Sequence, residues 1–141
     1  MIMKTIKFCV FLGVILLQAC ATTPPTLYQE LGGEKKVVEI VDNFIAEIEF
    51  DETLFEYFKD SNVNRFREKL IEHVCMLTDG PCEYTGDSMV DVHTGMNITE
   101  SDFNRGVDLF INAMTKAGVP HATQNKVLAV MAPTRKEIIY L

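Results

Sequence analysis

The chain has 141 residues, enough for one domain and too few for two of ordinary size. Apolar residues make up 48%, tryptophan is absent, and the formal charge is −7. Such an acidic surface repels phosphate backbones and anionic headgroups, which excludes nucleic acid as a partner and excludes membrane adsorption by charge alone.

Residues 1–19 read as an export address, not as part of the fold. Lys4 and Lys7 form a basic head, and the apolar run from Phe8 to Leu17 follows. That run is about ten residues, roughly 15 Å as a helix, against a hydrocarbon core of about 30 Å. It is too short to span and has the build of a signal-peptide core. Leu17-Gln18-Ala19-Cys20 resembles the lipobox of bacterial lipoproteins, in which the cysteine is diacylated and becomes the first residue. The resemblance implies an exported protein with a lipid on Cys20, anchored to a membrane and facing the periplasm. Ala21, with no aspartate after the cysteine, favours the outer membrane. Residues 20–26, rich in threonine and proline, make a stiff tether, and the folded domain spans 27–141.

From Leu27 onward the pattern is helical, with Gly and Pro as punctuation. Gly32-Gly33 precedes a run in which Val37, Val38, Ile40, Val41, Phe44, Ile45 and Ile48 recur at helical spacing. Leu54, Phe55, Tyr57 and Phe58 read as an aromatic-rich turn. Asn62 or Asn64 caps a second helix carrying Phe66, Leu70, Val74 and Leu77 on one face, and Asp79-Gly80-Pro81 stops it. Asp87 or Ser88 starts a short segment that ends near His93. Thr99 caps a helix with Phe103, Val107, Phe110, Ile111 and Met114, closed by Gly118-Val119-Pro120. The last helix runs from His121 to about Ile139, with Pro133 set to bend it or close its first half. No run alternates with period two, so the expected class is all-α, four substantial helices with short connections.

Of four cysteines, Cys9 leaves with the leader and Cys20 takes lipid. Cys75 and Cys82 stay in the domain, and export puts them where an even pair is bridged. The alternative is a metal or redox pair, for which Cys-x6-Cys without further ligands is poor zinc spacing. Three histidines remain. His121 sits at a helix start, His73 shares a face with Phe66 and Leu70, and His93 follows Met89 by four residues. Taken alone, His93 reads as a core residue.

The wider frame changes that reading. Leu27-Tyr28 with Leu31-Gly32-Gly33, Val41-Asp42-Asn43-Phe44, Phe58, Gly80-Pro81-Cys82-Glu83-Tyr84-Thr85-Gly86, Met89, His93-Thr94-Gly95, Ile98-Thr99, Phe103 and Gly118-Val119-Pro120 stand at fixed offsets. In this arrangement the chain resembles the truncated haemoglobins of bacterial group I. The resemblance implies a two-over-two helical sandwich around haem b (iron protoporphyrin IX), with His93 as the proximal iron ligand. Phe58 would pack on the haem face, and Phe44, Phe66, Val74 and Met89 would line the pocket.

The distal side departs from the family pattern. Where group I members often carry a Tyr and a Gln to hold oxygen, this chain has Ile45 and Leu70, with Phe66 one turn earlier; none can donate a hydrogen bond. Lys69 stands where some relatives place a sixth iron ligand, and it is otherwise a solvated lysine or a partner of a haem propionate. His73, one turn farther, belongs to the pocket edge.

Two functions fit this frame. One is a membrane-tethered globin that binds a diatomic gas, oxygen or nitric oxide, or does redox chemistry at the iron, with nitric oxide or peroxide turnover as a side activity and no dedicated catalytic residue. The other is a haem-holding or electron-transfer lipoprotein without turnover; its redox partner is not legible from the residues. The address makes its own prediction: Cys20→Ser should move the protein from the membrane fraction to the soluble fraction on centrifugation, and unchanged retention would refute lipid anchoring.

Overall fold

The computed structural model describes residues 23–141; the leader and Cys20 lie outside the described residues. Thr23, Pro24 and Pro25 are exposed and non-helical, and Thr26 then starts the fold. Its hydroxyl accepts from the Gln29 backbone N–H while the Gln29 side chain accepts from the Thr26 N–H, a reciprocal cap on α1 (Leu27–Leu31). Gly32, with φ at 111°, ends α1 and begins α2 (Gly33–Glu49), a left-handed turn that a side chain would strain.

The aromatic stretch after α2 is a helix, α3 (Glu52–Phe58), and not the isolated turn expected from sequence. The reason is Asp51, whose Oδ1 accepts from the Leu54 N–H at 2.9 Å and whose Oδ2 takes the Arg105 guanidinium. Asn62, not Asn64, caps α4 (Val63–Leu77), and Ser88 caps α5 (Met89–His93). A second reciprocal cap, Thr99 with Asp102, opens α6 (Glu100–Lys116). Helix α7 (His121–Met131) ends two residues before Pro133, whose missing N–H and ring prevent the α ladder from continuing. The chain then tightens into a 3₁₀ turn over Ala132–Glu137.

Among the described residues there is no strand, and none of the helices is long and apolar enough to cross a membrane. The four long helices form the two-over-two sandwich. Helix α2 packs on α4 and, most extensively, on α6, while α7 closes the second layer. Its faces meet in one main core of Val37 and Ile40 from α2, Val74 from α4, Ala113 and Met114 from α6, and Val127 from α7. A smaller cluster, Ile48, Leu54 and Leu109, sits under the α2–α3 corner beside Phe44, Phe58 and Phe66.

Cross-links fix the corners. Tyr57 donates to Asp102 at 2.8 Å, tying α3 to the start of α6, and Lys36 donates to the Ala117 carbonyl at 2.6 Å. The Tyr28 N–H meets the Thr78 carbonyl at 2.7 Å, which pins α1 to the end of α4. At the other terminus, Tyr140 N–H donates to Ile98 and Asn97 N–H to Leu141, so the last residues pair with the turn after α5.

The Leu54 N–H, helped by Arg105, holds the Asp51 carboxyl below its ordinary value of 3.8. Stability from a depressed carboxylate is present above that value and is lost as pH falls through the lower folded one. Asp51→Ala should therefore cost about 1 kcal/mol in urea unfolding at neutral pH, with the deficit shrinking below about pH 3.8; an equal deficit at both pH values would contradict this role.

Candidate functional site

The site is built from α4, the segment 78–88, α5 and the 3₁₀ turn. His93 is the last residue of α5, half-buried, and its Nδ1 lies 2.7 Å from the Met89 carbonyl. A carbonyl only accepts, so Nδ1 carries the proton and donates. In the neutral ring Nε2 is then the nitrogen that keeps the lone pair. A fixed tautomer with one free lone pair is what an imidazole needs to ligate a metal. Met89 thus acts through its backbone, a turn before the histidine it orients.

His73 is buried on α4, with its ring 5.1 Å from that of Tyr84. Burial pushes its pKa below the ordinary 6.5. The Glu137 carboxylate opposes this shift and the nearby His93 charge adds to it, so groups from α4, α5 and the 3₁₀ turn share one space.

Lys69 is committed elsewhere. Its Nζ donates to Glu72 at 2.8 Å, Glu68 at 2.9 Å and Thr85 at 2.7 Å. The Glu72 carboxylate, then that of Glu68, raises the lysine pKa. Glu72 in turn is held at about 2, chiefly by Lys69 and then by the Thr85 N–H, which it accepts at 2.9 Å. An amine ligates a metal only after losing its proton, and this setting keeps the proton on.

The apolar residues divide into two groups. Phe58 packs on Phe66 with centroids 4.7 Å apart, and Phe44 meets Phe110 edge-on at 5.4 Å. Ile45, Phe58 and Phe66 line one small surface cavity between α2, α3 and α4. Leu70 and Met89 are half-buried. Val74 is fully enclosed in the main core and supports this region from behind. Among the described residues no cluster of three His, Cys, Asp or Glu is arranged to hold a bare metal ion.

Cys75 and Cys82 are joined by a disulfide, with Cα atoms 5.8 Å apart, linking α4 to the segment that leads into α5. Three features of this region escape sequence reasoning: the Glu72–Thr85 clasp, the Tyr84–His73 ring contact and the approach of Glu137. The Tyr84-Thr85 motif stands out in the sequence, but its partners depend on the path of the segment across α4.

Comparison with known proteins identifies the family and the fold. The family model described as bacterial-like globin matches residues 26–140. The chain is 35% identical over 115 residues to the group 1 truncated hemoglobin GlbN of Mycolicibacterium paratuberculosis, covering 82% of this chain and 85% of that protein. It is 28% identical to the group 1 truncated hemoglobin of Tetrahymena pyriformis, covering 82% of this chain and 96% of that one. The crystal structure of the Tetrahymena pyriformis truncated hemoglobin in its Fe(III) form superposes with a TM-score of 0.80 over 83% of this chain and all of that one, at 27% identity. The 2/2 hemoglobin of a Synechococcus strain shares the fold, with a TM-score of 0.76 at 17% identity, over 82% of this chain and 98% of that one.

The buried imidazole gives a direct prediction. His73 should titrate below 6.5 in an NMR pH series. The unfolded chain takes up that proton first, so stability should fall as pH drops below about 6.5. A normal or raised His73 titration would overturn this account of the pocket.

Proposed function

Because the chain belongs to the bacterial-like globin family, whose model spans residues 26–140, we propose that it binds haem b with His93 as the proximal iron ligand. The observation that carries the reading is the Met89 carbonyl on His93 Nδ1, which leaves Nε2 as a fixed, unprotonated donor. Haem, when bound, supplies an iron centre that takes a diatomic gas such as oxygen or nitric oxide and exchanges electrons.

The chain's own residues do the rest. Met89 keeps the ligand nitrogen oriented through its carbonyl. Phe44, Phe58, Phe66 and Leu70 exclude water from the faces of α2, α3 and α4. Ile45, Phe66 and Leu70 offer no hydrogen-bond donor, and Lys69 of α4 nearby is otherwise engaged. Lys69 is held as an ammonium by Glu72 and Glu68, and burial favours neutral His73. A gas bound on this side gains no hydrogen bond from those positions, which favours rapid release over steady oxygen storage. The same apolar distal face supports a second reading, a haem-holding or electron-transfer protein without turnover.

The proposal includes export and tethering through Cys20, which rests on the basic head, the short apolar run and Leu17-Gln18-Ala19-Cys20. The exposed, non-helical Thr23, Pro24 and Pro25 suit a spacer between lipid and fold.

The deciding experiment is optical. Wild type supplied with haem should develop a Soret band that His93→Ala abolishes or shifts, and no haem uptake would refute the reading. Ferrous spectra with and without carbon monoxide separate gas binding from closed coordination. The Lys69 contacts predict that Lys69→Ala leaves the coordination unchanged.

A further inference from the structure

Helix α5 is five residues long and none of them is buried, so it has no core of its own to fix His93. Its packing is mainly against the 3₁₀ turn. Besides the paired turn that follows it, a further hold on it is the segment 78–88, which runs antiparallel along one side of α4. Cys82 is bonded to Cys75, Tyr84 faces His73, Thr85 meets Glu72 and Lys69, and Asp87 pairs with Arg65 at 2.9 Å. As the number rises along the segment it falls along α4, so the contacts act like a zip that ends at Ser88, the cap of α5.

Most links in this zip are exposed polar contacts, each exchangeable with water and individually weak. The disulfide is the covalent one, and it stands at the end where the segment leaves α4. Packing around it is tight: a Cβ on Gly80 would come within 2.5 Å of Cys75 Sγ and 2.7 Å of the Tyr28 ring. Cys75 is buried and Cys82 half-buried, and both line a surface cavity of about 260 Å³ beside Tyr28, Ile71 and Pro81. A small thiol therefore has a way to the Cys82 side of the bond.

We propose that Cys75–Cys82 and the Glu72–Thr85 clasp are positioning elements for His93, and that a dithiol reductant acting on the disulfide loosens the proximal ligand. In the redox step a thiolate of the dithiol attacks Cys82 Sγ, the Cys75–Cys82 bond breaks, and Cys75 leaves as a thiolate that takes a proton. The second thiol of the reductant then displaces Cys82, so two electrons and two protons pass to the protein and the dithiol ends as a disulfide. The segment keeps only its exchangeable contacts, and His93 loses its fixed distance from α4. This inference rests on the haem reading proposed above.

The test uses the whole chain loaded with haem, either oxidised or reduced with dithiothreitol and then freed of it under argon. Haem loss to an excess of a scavenging apoglobin and the iron–histidine stretching band of the ferrous form are both recorded. Reduction should speed haem loss about tenfold or more and move the iron–histidine band. A Cys75→Ser, Cys82→Ser double variant should match the reduced protein and ignore the dithiol. Glu72→Ala should shift the same band with the disulfide intact, while Glu72→Gln, which still accepts from the Thr85 N–H, should restore it in part. Identical haem loss and band position in oxidised, reduced and double-variant proteins, at equal helix content by circular dichroism, would overturn the proposal. Should the chain take up no haem, the haem reading fails, and amide exchange over residues 82–88 of the haem-free chain still decides the device. Faster exchange on reduction supports it, and unchanged exchange refutes it.

Discussion

The inward stripe of α2 is the interaction on which the other helices depend. Val37 and Ile40 lie against Val74 of α4 and against Ala113 and Met114 of α6, all with almost no exposed surface. Enclosing such a side chain contributes roughly 1.5–3 kcal/mol, so a handful of them outweighs every surface ion pair in the domain. Because one helix serves both layers, the position of α4 relative to α6 follows from the residues of α2. The corners are then fixed by polar links at the helix ends, Asp51 with Arg105 and Tyr57 with Asp102, beside the smaller apolar cluster of Ile48, Leu54 and Leu109.

That division of labour leaves α5 in an unusual position. The helix that carries His93 contributes no buried residue to the core. Its placement comes from its neighbours in sequence, the segment clasped along α4 before it and the turn paired with Tyr140 and Leu141 after it. A histidine held this way can be adjusted without repacking the core, whereas one inside the main cluster could not.

Much of this was readable from the residues. The apolar spacing of α2, α4 and α6 marked those helices, and Thr99 and Gly118 marked where α6 begins and ends. The frame from Tyr84 to Thr99 is what points to His93 among three histidines in the reading proposed above. Helix α3 was not legible because seven residues carry too little periodicity to separate a helix from a turn; its cap, Asp51, accepts locally from the Leu54 N–H and is held in turn by distant Arg105. Val74 shares a helical face with Phe66 and Leu70 in projection, yet only the packed structure shows it wholly inside the core. The state of Lys69 depended on Glu72 and Thr85 closing around it, a matter of how the segment crosses α4 and not of spacing along one helix.

The pairing of Asn97 and Ile98 with Leu141 and Tyr140 has a consequence for how the fold opens. Two backbone hydrogen bonds tie down the turn that follows His93, and local opening starts where few buried contacts must be broken. The corner that carries His93 can thus open while the hydrophobic centre of α2, α4 and α6 stays packed.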